Sequence, residues 1–257
     1  MGMDFHDEKN RSTYTTRKAD PSWLEAMNNL LSFEHVSSAL DIGCGGGIYS
    51  KALVDLGADS VTGLDFSEVS LEGARENCKS YTNITFSKGN ALETGLEANS
   101  YNLILERALI HHIKDLNSCF KEAYKLLKPG GQLIIQDRTP KDCFLPGDST
   151  HIRGYLFELF PQLIQKEKGR RHDSDTVISA LMDNRFHDIE EVKLWETRNI
   201  YHDKKELLDD LLARTGRSIL HELDDQELNQ LVDYIDKVLP DTNIIEKDRW
   251  TIWKAVK

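Results

Sequence analysis

The sequence predicts an α/β fold built on a parallel sheet, and two observations carry this prediction. Between Ser38 and Thr139, short runs rich in Leu and β-branched residues alternate with longer amphipathic runs, which is the pattern of β-α-β units. The first of the apolar runs leads directly into a glycine cluster and then into a helical pattern. Such an order of strand, glycine turn and helix is typical of ligand-binding loops in α/β sheets.

The alternating region contains apolar runs of strand length, bounded by turn residues. Strands are predicted at 38–43, 60–65, 83–89, 101–107 and 131–138. The segments between them place apolar residues at helical spacing, as in the run from Cys119 to Leu127. The residues 128–131, Lys-Pro-Gly-Gly, are expected to end that helix and turn the chain into the next strand. Further upstream, Asp20 and Pro21 predict the start of a helix, as N-cap and first helical residue.

After Thr139 the regular alternation ends, and a polar loop and an apolar stretch interrupted by Pro161 follow. Beyond them the pattern predicts a helix at about 175–184, a strand at 188–201, amphipathic helices around 207–212 and 228–238, and a closing strand at 249–257. No repeat or Gly-, Pro- or Ser-rich linker divides the chain. We therefore expect a single domain over 1–257, with its core at about 20–139, 173–201 and 248–257 and insertions at about 140–172 and 202–247.

Composition and charge exclude several classes of function. The chain of 257 residues has 32 Lys and Arg against 43 Asp and Glu, a net charge of −11, which opposes binding to a phosphate backbone. Its four cysteines have no C-x-x-C spacing and no nearby His pair, so no metal site is predicted and reduced thiols are expected. There is no signal-peptide pattern at residues 1–18 and no apolar run of about 18 residues. A soluble, cytoplasmic protein is expected.

The strongest local signal is the glycine cluster that follows the first strand. Four of the five residues from Gly43 to Gly47 are glycine, and Asp41 precedes them. Each glycine costs conformational entropy, so this density favours a loop where a ligand approaches the backbone closely. The dinucleotide pattern G-x-G-x-x-G is not satisfied, because Ile48 stands where it requires glycine. Asp65 ends the next strand, where an acidic side chain can bind the hydroxyls of a ribose.

Five segments in order carry a resemblance to a known family: DIGCGGG at 41–47, GLDFS at 63–67, KGNA at 88–91, YNLILERALIHH at 101–112 and LKPGG at 127–131. Together they resemble the class I S-adenosylmethionine-dependent methyltransferases, in particular the ubiquinone- and menaquinone-biosynthesis branch. The resemblance covers roughly residues 38–139. Two positions depart from the family pattern, since Asn90 and Asn102 stand where the family usually has Asp.

This resemblance implies a Rossmann-like sheet of seven strands in the order 3-2-1-4-5-7-6, with strand 7 antiparallel, helices on both faces and added lid helices. The cofactor would be S-adenosyl-L-methionine, bound over the carboxyl ends of strands 1 and 2. The backbone from Gly43 to Gly47 would contact its methionine part, and Asp65 its ribose. The full set of implied cofactor-binding residues is Asp41, Gly43, Cys44, Gly45, Gly47, Asp65, Phe66, Asn90, Ala91 and Glu106.

The resemblance also implies a reaction, methyl transfer to a small-molecule acceptor. His111 and His112 follow strand 4, near the expected place of the acceptor, and an imidazole suits a general base; a non-catalytic role for this pair is the alternative. The two insertions would form the lid that selects the acceptor. Arg170 and Arg171 are expected on a solvated face, and a small anionic acceptor held by the basic residues of this region is the alternative. Methylation of RNA or protein and cofactor binding without catalysis are the rival functions. A monomer or homodimer is expected.

Overall fold

The computed structural model describes residues 18–257, and it contains the seven-stranded sheet that the family resemblance implied. The strands are β1 (Ala39–Ile42), β2 (Val61–Asp65), β3 (Ile84–Lys88), β4 (Tyr101–Arg107), β5 (Leu127–Asp137), β6 (His187–Tyr201) and β7 (Ile244–Val256). Their order in the sheet is β3-β2-β1-β4-β5-β7-β6. The first five strands pair in parallel, and β7 pairs antiparallel to β5. The predicted fold class is confirmed.

Helices occupy most of the connections between these strands. They are α1 (Pro21–Leu30), α2 (Ile48–Asp55), α3 (Glu68–Asn77), α4 (Leu116–Leu126), α5 (Pro140–Cys143), α6 (Ile152–Leu159), α7 (Leu163–Lys168), α8 (Ser174–Asp183), α9 (Lys204–Leu212) and α10 (Asp225–Val238). Side chains cap several of their first turns; Asp20 accepts from Ser22 N–H and Asp115 from Ser118 N–H. These caps satisfy backbone donors that have no partner within the helix.

Two compact units divide the described part of the chain. The first unit contains residues 18–137, 172–194 and 251–257, and the central strands of its sheet, β1 and β4, are buried along most of their length. Leu40 and Ile42 of β1 pack in one hydrophobic cluster with residues of α4 and α8, whereas Ala39 packs in another with residues of α1 and α2. This alternation places helices on both sides of the sheet.

The second unit contains residues 138–171 and 195–250, and it has a hydrophobic cluster of its own. Leucine and isoleucine side chains of α6, α9 and α10 form this cluster together with Tyr201. Buried ion pairs accompany it: Arg217 contacts Glu246 and Asp210. The assignment of a single domain with lid insertions at 140–172 and 202–247 stays a prediction.

Local differences from the sequence-based expectation have identifiable causes. The helices α5, α6 and α7 lie where a loop and an interrupted apolar stretch were expected; α5 begins with a capping box of Thr139 and Asp142, and buried apolar residues stabilise α6. Strand β5 begins at Leu127 instead of residue 131, because the segment around Gly130 exchanges backbone hydrogen bonds with Lys257. The expectation of a solvated Arg171 is wrong, since its Nε–H donates to the buried Glu167 at 3.0 Å.

Three further observations concern the chain between residues 18 and 257. None of its helices is long and apolar enough to cross a membrane. In the same range, no group of three or more His, Cys, Asp or Glu side chains is arranged to hold a metal ion. The side chains of Cys44, Cys78, Cys119 and Cys143 are buried, and none of these four residues forms a disulfide. The expectation of no signal peptide rests on residues 1–18, of which 1–17 lie outside the described residues.

Candidate functional site

The residues singled out in the sequence meet at the carboxyl edge of the sheet in the first unit. In register, Ile42 of β1 lies beside Leu64 of β2 on one side and beside Glu106 of β4 on the other. Glu106 in turn lies beside Ile135 of β5. The loops that leave these strands therefore begin at the same level, at the place where open α/β sheets bind their ligands.

The glycine loop has a backbone conformation that side chains rarely adopt. Gly43, Gly45 and Gly47 have φ angles of +76°, +52° and +74°, in the left-handed region that favours glycine. A Cβ atom on Gly47 would lie 2.8 Å from the Cys78 sulfur, whereas a Cβ atom on Gly45 would have no neighbour within 4 Å. Gly47 is thus required by packing, and the loop around Gly45 faces open space.

Asp65 connects the end of β2 to this loop. Its Oδ2 accepts a hydrogen bond from Gly45 N–H at 2.9 Å, and its Oδ1 accepts one from Ser67 N–H at 2.9 Å. Each carboxylate oxygen has a second lone pair, so the same group can accept hydrogen bonds from a ligand hydroxyl. The carboxylate is 7% exposed and lies beside the open part of the loop.

Asp41 lies beneath the loop and does not reach its surface. Its side chain is buried in β1 and accepts a hydrogen bond from the Ser50 hydroxyl of α2 at 2.7 Å. Burial raises the pKa of Asp41 from 3.8 to about 6, and the hydrogen bond from Ser50 opposes that shift. The contact joins β1 to α2 across the glycine loop, so Asp41 supports the shape of the loop.

The remaining predicted cofactor residues surround the loop at different depths. Phe66 directly follows Asp65, and its ring is 53% exposed. Cys44, the second residue of the loop, has a buried side chain, and its sulfur is 3.0 Å from the place of a Cβ atom on Gly63. Asn90 is exposed, and its Oδ1 accepts from Leu92 N–H at 3.0 Å. Ala91 is partly buried against the main hydrophobic cluster.

Glu106 is fully buried in β4, on the side of the sheet that α4 covers. The Cys119 thiol is 3.6 Å from both of its carboxyl oxygens. Burial raises the pKa of Glu106 from 4.5 to about 7, and the hydrogen bond from Cys119 lowers it in part. A group with such a pKa near the carboxyl edge of the sheet is characteristic of functional sites. The side chain itself does not face the glycine loop's open space.

The His pair lies on a 3-10 turn, Ile110–His112, after β4. The Nδ1 atom of His111 is 2.8 Å from Oδ2 of Asp137, the last residue of β5, and the backbone N–H of His111 donates to the same carboxylate at 3.2 Å. Asp137 is 2% exposed. A carboxylate accepts the proton on Nδ1, which leaves Nε2 of His111 as a proton acceptor. His112 is exposed and stacks against His111, with ring centroids 4.0 Å apart.

The sequence analysis missed two residues at this edge, Asp137 and His172. It also missed the unusual backbone conformation of Ala108. Asp137 is the last residue of a strand next to β4, so its place at the carboxyl edge was a signal that could have identified it. His172 contacts the carbonyl groups of Ile110 and Ile113, and no sequence pattern indicates this. Ala108 has a φ of +51°, an uncommon value for a residue other than glycine.

Asn102, the other departure from the family pattern, lies at the opposite end of β4. Its Oδ1 accepts hydrogen bonds from the Ser37 hydroxyl at 2.8 Å, from Ser38 N–H at 3.2 Å and from Lys128 Nζ at 3.0 Å. These contacts fix the start of the strand to the segment that precedes β1. A neutral amide oxygen performs this structural task, away from the carboxyl edge.

Comparison with known proteins agrees with this geometry. A family model described as a methyltransferase domain matches residues 40–135, the segment from β1 to β5 that carries the glycine loop, Asp65 and the His pair. The demethylmenaquinone methyltransferase of Bacillus licheniformis is 28% identical over 129 residues, which cover 49% of this chain and 56% of that protein. The ubiquinone biosynthesis O-methyltransferase of Bordetella avium is 34% identical over 123 residues, covering 46% of this chain and 49% of that protein.

Both alignments span only about half of the relatives they match. Among solved structures, phosphoethanolamine N-methyltransferase 2 of Haemonchus contortus in complex with S-adenosyl-L-methionine superimposes with a TM-score of 0.61 at 22% identity. This match covers 99% of the present chain and 60% of the other. At that identity the superposition shows a common fold.

Proposed function

We propose that this protein, whose residues 40–135 match a family model described as a methyltransferase domain, is a class I S-adenosylmethionine-dependent methyltransferase that transfers a methyl group from S-adenosylmethionine to a small-molecule acceptor. One observation carries the proposal: Asp65 presents its carboxylate beside Gly45, at the open part of the glycine loop. The carboxylate suits a ligand that has hydroxyl donors. The glycine backbone lets another part of the same ligand approach it closely.

The chemical groups at the loop match those of the cofactor. The Asp65 carboxylate suits the two ribose hydroxyls, and the exposed ring of Phe66 suits the face of the adenine. The open space at Gly45 leaves room for the methionine part, and Asn90 and Ala91 follow β3, the strand next to β2. When bound, S-adenosylmethionine supplies a methyl group on a sulfonium, an already activated carbon. Orientation and the exclusion of water by the protein then provide much of the catalysis.

His111 is proposed as the general base for an acceptor that must lose a proton. Asp137 accepts the proton on Nδ1 of His111, so Nε2 can take the proton of the acceptor. A catalytic role for His112, the second candidate, remains a prediction. We expect Asp137→Asn and His111→Ala to reduce kcat by about 100-fold or more and to leave the affinity for S-adenosylmethionine unchanged, as measured by calorimetry. Equal loss of cofactor affinity would contradict a role in the chemical step.

The acceptor is proposed to be a small molecule. The net charge of −11 opposes a nucleic-acid substrate, and two relatives are named for demethylmenaquinone methylation and for ubiquinone biosynthesis. Quinol-type compounds are therefore the first acceptors to test. The selection of the acceptor by residues 140–172 and 202–247, a cytoplasmic location and a monomeric or homodimeric state belong to the same proposal.

The first experiment measures cofactor binding by titration calorimetry, with NAD as the control ligand. We expect S-adenosylmethionine and S-adenosylhomocysteine to bind the wild type with micromolar affinity. Asp65→Ala should weaken binding by about 100-fold, since each hydrogen bond to a charged group contributes about 1.5–3 kcal/mol. Asp59→Ala, which changes an exposed carboxylate next to β2, is the matched control. Preferential binding of NAD would refute the proposal.

The second experiment separates catalysis from binding alone. Labelled S-adenosylmethionine is incubated with the protein and a panel of quinol-type and other small-molecule acceptors, and S-adenosylhomocysteine formation is measured. Transfer that depends on an acceptor supports the enzyme. Binding of the cofactor without transfer to any acceptor favours a non-catalytic binding protein, and transfer to total RNA or protein favours the rival enzyme class.

A further inference from the structure

The turn that carries His111 and His112 is held from two sides. On one side Asp137 binds the backbone and ring of His111. On the other side Nε2 of His172 lies 3.2 Å from the carbonyl oxygen of Ile110 and 2.8 Å from that of Ile113. These two residues immediately precede and follow the His pair. A carbonyl oxygen only accepts, so Nε2 of His172 carries the proton that both carbonyls share.

The turn is also anchored by the side chain of Ile110, which is buried in the main hydrophobic cluster, but its local backbone structure is weak. Its own backbone bonds run from His112 N–H to Leu109 and from Ile113 N–H to Ile110, and 3-10 geometry makes such bonds poorer than those of an α-helix. Ala108, at the start of the same loop, has a positive φ, which costs free energy that surrounding contacts must offset. The bonds from His172 add restraint where local structure supplies little.

His172 is itself fixed by a rigid element. It lies one residue before Asp173, whose side chain caps α8 by accepting from Thr176 N–H at 2.8 Å. The buried face of α8, with Val177 and Leu181, packs in the hydrophobic cluster that also contains residues of α4. The imidazole is partly buried. His172 therefore links the turn to α8, in addition to the direct packing of Ile110 in the same cluster.

We propose that His172 is a positioning residue for methyl transfer: by donating to the carbonyls of Ile110 and Ile113, it keeps the imidazole of His111 aligned with Asp137. This inference rests on the proposed function of His111 as the general base. The donor on Nε2 is present in both the neutral tautomer that the contacts require and the cation. The restraint therefore does not depend on the charge of His172.

The test compares His172→Ala with His172→Gln, because the side-chain amide of Gln places an N–H donor near the position of Nε2. His187→Ala removes an exposed histidine of the same unit and is the control. We expect His172→Ala to lower kcat by about 10- to 100-fold with the affinity for S-adenosylmethionine unchanged, and His172→Gln to recover most of the loss. The control should match the wild type.

A second measurement does not depend on turnover. Nitrogen NMR of the His111 ring should show the Nδ1–H tautomer in the wild type and in His172→Gln, and a mixture of tautomers in His172→Ala. Unchanged kcat and an unchanged His111 spectrum in His172→Ala would overturn the inference. So would an equal loss in the Ala and Gln variants accompanied by a lower melting temperature. A wild type that binds the cofactor but methylates no acceptor would contradict the proposed function, while the spectrum of His111 would still decide whether His172 aligns it.

Discussion

Replacing Glu106 with Gln isolates the cost of one buried carboxyl group at the carboxyl edge of the sheet. The side chain is fully buried, and the thiol of Cys119 is its hydrogen-bond donor. Burial raises the pKa of Glu106 from 4.5 to about 7, because the apolar surroundings disfavour the charged form. Gln has nearly the same shape and cannot ionise.

The sign and size of the effect follow from this pKa. The folded-state pKa lies above the unfolded one, so the stability from Glu106 is fully present below about pH 4.5 and is lost as the pH rises through about 7. The difference between the two values, at about 1.4 kcal/mol for each pH unit, amounts to roughly 3 kcal/mol. Between about pH 4 and about pH 8 the wild type should lose this stability, whereas Glu106→Gln should not. The free energy of unfolding of Glu106→Gln minus that of the wild type should therefore be roughly 3 kcal/mol larger at about pH 8 than at about pH 4.

Urea denaturation at several pH values measures this difference. Glu122→Gln is the matched control, because Glu122 is also a buried glutamate of the first unit but accepts hydrogen bonds from Thr94 and Lys125. Although burial raises the pKa of Glu122, these contacts lower it below its usual value. Glu122→Gln should therefore destabilise the protein at about pH 8. The same pH dependence in Glu106→Gln and in the wild type would refute the reasoning.

Two further predictions concern packing and buried charge. Gly47→Ala should lower the free energy of unfolding by about 1–3 kcal/mol more than Gly45→Ala, as measured by urea denaturation. Both positions have a positive φ, but only at Gly47 would the added Cβ atom overlap neighbouring atoms. Equal losses would contradict this prediction. Arg217→Leu should destabilise the second unit by about 3–5 kcal/mol, since it leaves the carboxylate of Glu246 buried without this cation. Lys205→Ala, in an exposed ion pair, should leave the melting temperature unchanged, and a similar decrease in both variants would show that burial of the pair is irrelevant.

Much of the first unit could be predicted because its signals are local. The alternation of apolar runs, the glycine cluster after β1 and the Asp at the end of β2 each depend on residues close together in the chain. Backbone conformation and the buried face of an element are decided largely over such short ranges. The order of the seven strands followed from the family resemblance, and the observed sheet confirms it.

The second unit was less predictable because it has fewer local signals. The short helices α5 to α7 have few turns over which a periodic pattern can develop. Arg171 follows a cluster of basic residues, a pattern that predicts a solvated surface. In the structure it is buried in an ion pair with Glu167. Only the folded arrangement determines whether a charged side chain has a buried partner.

The sequence by itself determined the glycine loop, Asp65 and the position of the His pair after β4. The tertiary structure decided which groups those residues meet: Asp137 at His111, His172 at the carbonyls on either side of the His pair, and Cys119 at Glu106. The partners in these contacts are 13 to 62 residues apart in the chain. Such contacts depend on which strands pair and on which helices pack against them, and these pairings join segments that are far apart in the chain.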